Sequence, residues 1–383
     1  MYTLKIVALA FGVILPHLTR ADQRCSDISF ETTTHSAKAE KIELPSLNLN
    51  TPDLIGGLLN SVLGYVGHIW PLVPVEGTYS ISATFCEPET YNGADAVQLL
   101  LHGATYNKLY WSGLGLPHDQ AEPYDWARFA TDKGYAVLAI DRPGAGNSSH
   151  PDPLLEVQAN LEAEVLHQIV LQLRNGQIGG KKFPKVVGVG HSLGSIFAMR
   201  ATQLYPQDFD ALVLTGWSAN FVENLPKLLK AGIVPARVGI PERFAHLELL
   251  YLVGTIRHAV RDLFYGPKGT FDPNVERYNW EHRGVVATGE LITILSGSTK
   301  TTYAGPVQII NGQLDTLFCS PADGKCAPGS DSPPGNTAPL FPNALNFTTN
   351  IIPNTGHCLN LQHSARETFS IAHDFLHDNI VKV

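Results

Sequence analysis

The stretch "KVVGVGHSLGSIFAMR", residues 185–200, decides how this chain folds. Valines and glycines run into Ser192, glycines stand two residues to either side at Gly190 and Gly194, and a helix-like apolar segment follows. A strand that ends on Gly-x-Ser-x-Gly and passes at once into a helix makes a sharp, strained turn, which lifts the serine hydroxyl above the sheet edge. Side chains at 190 and 194 would collide with the adjoining strand and helix. The hydroxyl would rest at a helix N-terminus, where backbone N–H groups favour negative charge. Alone the pentapeptide is weak, because a helix-capping serine produces the same letters. With the strand before it and the helix after it, Ser192 is a candidate nucleophile.

A serine hydroxyl needs a base within hydrogen-bond reach, and histidine titrates near working pH. Of the fifteen histidines, His357 closes "TTNIIPNTGH", a strand-like run ending in a Gly-His turn. Asp315 ends "PVQIINGQLD" (306–315), where a carboxylate can orient His357 and stabilise its cation. The plain alternative is a solvated loop aspartate. The other place for an acid, after the strand near Trp217, reads "TGWSAN" and holds no carboxylate. An oxyanion needs two backbone donors: the Leu193 N–H directly after the serine, and Ala104 after "LLLHG", with Thr105 in reserve.

Along the chain, short apolar runs alternate with longer amphipathic ones from Val97 onward, the pattern of a mostly parallel α/β sheet. Strands are expected at 96–103, in "YAVLAIDRPGAGNSS" and at 211–217. Helices are expected over "EPYDWARFATDKG", over 153–176 and in the final "ARETFSIAHDFLHDNIV". After Trp217 nearly ninety residues read as helical without a clear strand. The expected organisation is a leader at 1–21, a first core segment at 22–216 with an N-terminal extension at 22–75, a helical cap at 217–305 and a second core segment at 306–383. Within the extension, apolar residues at 54, 55, 58, 59, 62, 63 and 66 have helical spacing; packing against the body is the plain reading and a flap at a lipophilic entrance the sharper one.

These motifs together resemble the α/β-hydrolase superfamily from about Val97 to the C-terminus. "LLLHG" corresponds to its oxyanion strand and loop, "GHSLGS" to its nucleophile turn, "NGQLD" to its acid loop and "NTGH" to its histidine loop. The order serine, acid, histidine and the inserted cap fit, and secreted fungal members look most similar. The resemblance implies an α/β fold, a mostly parallel sheet with helices on both faces and a helical cap. It also implies a triad of Ser192, Asp315 and His357. The Gly-Gly-Gly oxyanion loop of the hormone-sensitive-lipase branch is missing, and serine rather than aspartate at the turn argues against haloalkane dehalogenases and epoxide hydrolases.

The 383 residues are 44% hydrophobic and 16% charged, enough to bury a large core, and a net charge of −8 without a basic block excludes a nucleic-acid footprint. Lys5, the apolar run 6–15 and "TRA" before residue 22 read as a secretory leader cleaved after about Ala21, too short for a comfortable membrane span. Secretion turns the five cysteines into disulfide candidates. Cys319 and Cys326 can staple a loop rich in Pro, Gly and Ser, and Cys25 can reach Cys86. Cys358 is then odd, and Cys358 with Cys319 is the competing pairing. Asn346 and, less favourably, Asn147 fit the N-glycosylation pattern. His102 and His191 read as turn-shaping neighbours, and Asp141 as a loop anchor. The i, i+4 pair His373 and His377 lacks the glutamate of a metalloprotease.

The function these observations predict is a secreted serine hydrolase of lipophilic esters or lactones, working through an acyl-enzyme with no metal or organic cofactor. Cap residues such as Phe221, Leu225, Phe244, Tyr251 and Phe264 suggest the lipophilic substrate, although many belong to the cap core. The alternatives are a binding protein with little turnover, and a triad enzyme doing C–C cleavage or acyl transfer.

Overall fold

The computed structural model describes residues 24–43, 64–66, 68, 70–295, 299–319, 326–329 and 331–382. The expected leader lies outside these residues, as does the helix expected over 54–66 except for 64–66.

The architecture is an eight-stranded sheet. Its strands are β1 (Arg24–Glu40), β2 (Leu72–Glu87), β3 (Ala96–Leu101), β4 (Ala136–Ile140), β5 (Lys185–His191), β6 (Ala211–Thr215), β10 (Val307–Gly312) and β11 (Phe347–Ile352), in the spatial order β1-β2-β4-β3-β5-β6-β10-β11. From β4 to β11 all neighbours are parallel, and β1 and β2 run antiparallel at one edge. Strands β3, β4 and β6 are buried along their whole length, which explains their near-continuous apolar sequences: a parallel strand covered on both faces has no polar side to alternate with.

Helices α1 (Trp126–Asp132), α2 (Ala159–Asn175), α3 (Leu193–Leu204) and α7 (Ala365–Leu376) pack on the sheet. One buried polar residue ties β3, α1 and α7 together. Gln98 of β3 accepts the Trp126 indole N–H at 2.8 Å and meets His373 Nε2 at 3.0 Å. His373 also engages the Phe369 carbonyl, and burial pushes its pKa down to about 4. It is therefore a neutral core histidine, while His377 stands exposed.

Three expectations change. Residues 24–40 do not stand outside the sheet: β1 pairs with β2 along fifteen registered positions. Thr32, Thr34, Ala37 and Ala39 point inward while their neighbours face solvent, the alternation of a half-buried edge strand. Helix α2 starts at Ala159 rather than 153: the Asp152 carboxylate caps a separate turn by taking the Leu154 and Leu155 N–H groups, and that turn does not run on into the helix. The insertion between β6 and β10 is not all helical. It contains a three-stranded antiparallel sheet of β7 (Ile233–Pro235), β8 (Tyr251–Gly254) and β9 (Val286–Ala287), beside a 3₁₀ segment (Val222–Ala231) and helices α4 (Arg257–Phe264), α5 (Pro273–His282) and α6 (Thr288–Ile292). Runs of two to four residues are too short to carry a strand period.

Disulfides join Cys25 to Cys86 across β1 and β2, and Cys319 to Cys326 beside Asp315; Cys358 is free and buried. Among the described residues no helix is long and apolar enough to cross a membrane.

The insertion is bolted to the core through buried charge. The Arg142 guanidinium, after β4, meets Glu162 of α2 at 3.0 Å and Glu290 of α6, and all three side chains are almost wholly buried. One cation faces two carboxyls. Burial pushes the Glu162 carboxyl up against the pull of Arg142, and Glu290 adds to the rise. A carboxyl raised in the folded state contributes stability that is present below its unfolded value and is lost as pH climbs through the raised one. Folding stability from denaturant titration should therefore fall between about pH 5 and about pH 9, and Glu162→Gln should flatten that fall. An unchanged slope in the variant would place the alkaline loss elsewhere.

Candidate active site

The geometry begins with backbone strain. Ser192 sits at φ 54°, ψ −118°, a region that residues with a Cβ avoid. It is held there because the chain must pass from β5 into α3 with no room to relax. A Cβ on Gly190 would lie 2.5 Å from the Ser195 Cα, and one on Gly194 would lie 2.1 Å from the Leu101 carbonyl oxygen at the end of β3. The two glycines thus let helix, nucleophile strand and neighbouring strand close on each other. The Ser192 N–H is tied to the Thr215 carbonyl at 2.8 Å.

The turns after β10 and β11 deliver the partners. His357 Nε2 lies 2.9 Å from Ser192 Oγ, and His357 Nδ1 lies 2.8 Å from Asp315 Oδ2. Asp315 Oδ1 accepts the Leu317 and Phe318 N–H groups at 2.9 and 3.0 Å. An ionised carboxylate only accepts, so Nδ1 carries the proton and Nε2 turns a lone pair toward the hydroxyl. The three side chains expected to work together are within hydrogen-bond reach of one another, and Asp315 and His357 are sealed from solvent.

The imidazole stacks with Phe264 and Phe318, with ring centroids 5.5 and 5.4 Å away. His191 packs beside it at 5.0 Å, stacks on Tyr110 and is kept neutral by burial and by the neighbouring His357. His102 is likewise kept neutral by burial and by Arg142. Asp141 takes the Lys108 and Asn147 N–H groups, the loop-anchoring role. Cys358 hydrogen-bonds the Tyr106 hydroxyl at 2.7 Å, and burial pushes its thiol far up, so it packs as a neutral hydrophobe.

Leu193 opens α3, so its N–H has no carbonyl one turn earlier to bond. The Ala104 N–H likewise finds no acceptor among the described residues. Leu193, Ala104, Thr105 and Ser192 line one part of a partly enclosed apolar cavity. Phe221, Leu225, Leu228, Val260, Leu291 and Ile294 line much of the rest. Of the five cap residues singled out in the sequence, Phe221, Leu225 and Phe264 face this cavity; Tyr251 belongs to the cap core, its hydroxyl on the Pro151 carbonyl. Among the described residues no cluster of three or more His, Cys, Asp or Glu is placed to hold a metal ion. The phenyl rings stacked with His357 and the Arg142 node escaped the sequence reading, since neither has a local spacing signature.

A model of the alpha/beta hydrolase family matches residues 98–370. Among solved structures, a thermophilic esterase from Thermogutta terrifontis superposes with a TM-score of 0.51 at 18% identity, covering 79% of this chain and 95% of that one. A bromoperoxidase from Bacillus anthracis gives 0.53 at 20% identity, covering 78% and 96%. Both likenesses are of fold. No curated protein matches the sequence.

The close approach at the turn has a measurable consequence. Gly194→Ala forces a methyl group into the Leu101 carbonyl, and overpacking against backbone costs about 3 kcal/mol. Urea unfolding should show a loss of that size, and a variant as stable as the parent would mean that the turn is looser than described.

Proposed function

The chain belongs to the alpha/beta hydrolase family, and we propose that it is a secreted serine hydrolase that cleaves lipophilic carboxylic esters or lactones through an acyl-enzyme. The observation that carries this reading is the unbroken line Ser192 Oγ, His357 Nε2, His357 Nδ1, Asp315 Oδ2, with contacts of 2.9 and 2.8 Å. Ser192 Oγ attacks the ester carbonyl carbon as its proton passes to His357 Nε2. Negative charge moves to the carbonyl oxygen, where the Leu193 and Ala104 N–H groups receive it, each such donor stabilising the transition state by ~3 kcal/mol. Asp315 stabilises the imidazolium without taking its proton. His357 hands the proton to the departing alkoxide. It then takes one from water, whose oxygen attacks the acyl carbon, and returns it to Ser192 as the acid leaves.

The apolar cavity lining supports a lipophilic acyl or alcohol group. The leader-like N-terminus and the two disulfides support secretion.

A fluorophosphonate probe should label Ser192, and Ser192→Ala should abolish labelling and lower turnover by ~10⁶-fold. Folded parent protein that refuses the probe would sink the acyl-enzyme reading. Asp315→Asn leaves the shape intact but presents a donor where His357 needs an acceptor, so kcat should drop by ~10⁴-fold. On p-nitrophenyl esters of graded length, kcat/KM should rise with acyl chain length until the cavity is filled; a preference for acetate would contradict the lipophilic assignment.

A further inference from the structure

The loop from His102 to Thr105 has to present the Ala104 N–H at a fixed place, yet it is not a relaxed turn. Thr105 has φ 61°, a left-handed conformation that is costly for a β-branched residue and that persists only under outside constraint. Gly103 leaves the loop no slack on the side of the nucleophile, since a Cβ there would lie 3.0 Å from the Ser192 Cβ.

The constraint comes from two directions. At the start of the loop, Arg142 Nε donates to the His102 carbonyl at 3.1 Å, and the Arg142 backbone N–H donates to His102 Nε2 at 3.2 Å. His102 Nδ1 in turn meets the Gly103 carbonyl at 2.8 Å. At the end of the loop, the Gly284 N–H of the cap donates to the Thr105 carbonyl at 2.7 Å. Arg142 is itself held by carboxylates from two bodies: Glu162 from the core helix α2 and Glu290 from the cap helix α6. Glu290 is fixed in the cap by the Ala287 N–H on its second oxygen at 2.8 Å.

We propose that Arg142 is a positioning residue for the oxyanion loop, and that Glu290 makes its setting depend on the seating of the cap. The cap then does more than wall the cavity. Its seating fixes both ends of the loop, so the loop reaches its catalytic shape only when α6 and the segment around Gly284 are docked. Displacing α6 and the segment around Gly284 leaves the Phe264 contact on His357 in place but frees the loop that carries the second oxyanion donor.

This inference rests on Ser192 being the nucleophile, and one set of measurements separates the two claims. Glu290→Gln keeps an oxygen for the Ala287 N–H and removes the charge. Arg142→Lys keeps the charge and removes the fork that reaches the His102 carbonyl and both carboxylates at once. Each variant is assayed with a p-nitrophenyl ester and with a fluorophosphonate, at a temperature where its near-ultraviolet circular dichroism matches the parent. The expected result is a kcat lower by about 10- to 100-fold, a KM within about two-fold of the parent and a labelling rate reduced in step with kcat. A variant that melts earlier but keeps the parent kcat and labelling rate would make the bolt structural only and overturn the inference. So would a rise in KM alone. Parent protein that takes no label would instead sink the nucleophile assignment itself.

Discussion

The candidate active site depends on one close backbone approach. The first turn of α3 lies so near the end of β3 that a single methyl at 194 would overlap the Leu101 carbonyl. That contact brings the Leu193 N–H of one element and the loop after Leu101 of the other to the same hydroxyl. It also forces Ser192 into its strained conformation, because the chain has no other way to pass between strand and helix. The parallel sheet then aligns the ends of β10 and β11 with the same edge, and their turns need only carry an aspartate and a histidine.

The second constraint is electrostatic. Near the hydroxyl the protein buries two neutral histidines, a thiol and a lone carboxylate, and gives the carboxylate two backbone donors besides the imidazole. Burial thus keeps His102, His191 and Cys358 neutral around the hydroxyl. A second ionised side chain inside that shell would compete with Asp315 for the imidazolium.

Local motifs made most of the site legible. Ser192, Asp315 and His357 each end a strand-like run, and a residue at a strand end in a parallel sheet is placed by the sheet itself. The interior strands were equally plain, because burial on both faces leaves a continuous apolar run. What stayed hidden was settled at long range or in very short elements. Arg142 and Glu290 are 148 residues apart and no spacing rule joins them. The strands of the cap are two to four residues long. Strand β1 changes its inward phase at an irregularity between Thr34 and Ala37, so no single alternation runs through it, and its Thr- and Ser-rich sequence lacks the apolar residues that flag a strand. Cysteine pairing was open because it depends on which turns meet: Cys358 lies behind the histidine, against Tyr106, while Cys319 finds Cys326 within its own loop.

The cap is inserted between β6 and β10, so the hydroxyl and the imidazole that meets it are 165 residues apart in the chain. A ribosome working at about 5–20 residues per second emits the Ser192 turn roughly 8 to 33 s before His357. Within that interval the whole inserted segment is made, while Ser192 still lacks its imidazole partner. The order of the elements thus keeps Ser192 without its imidazole partner until the last strand has been made.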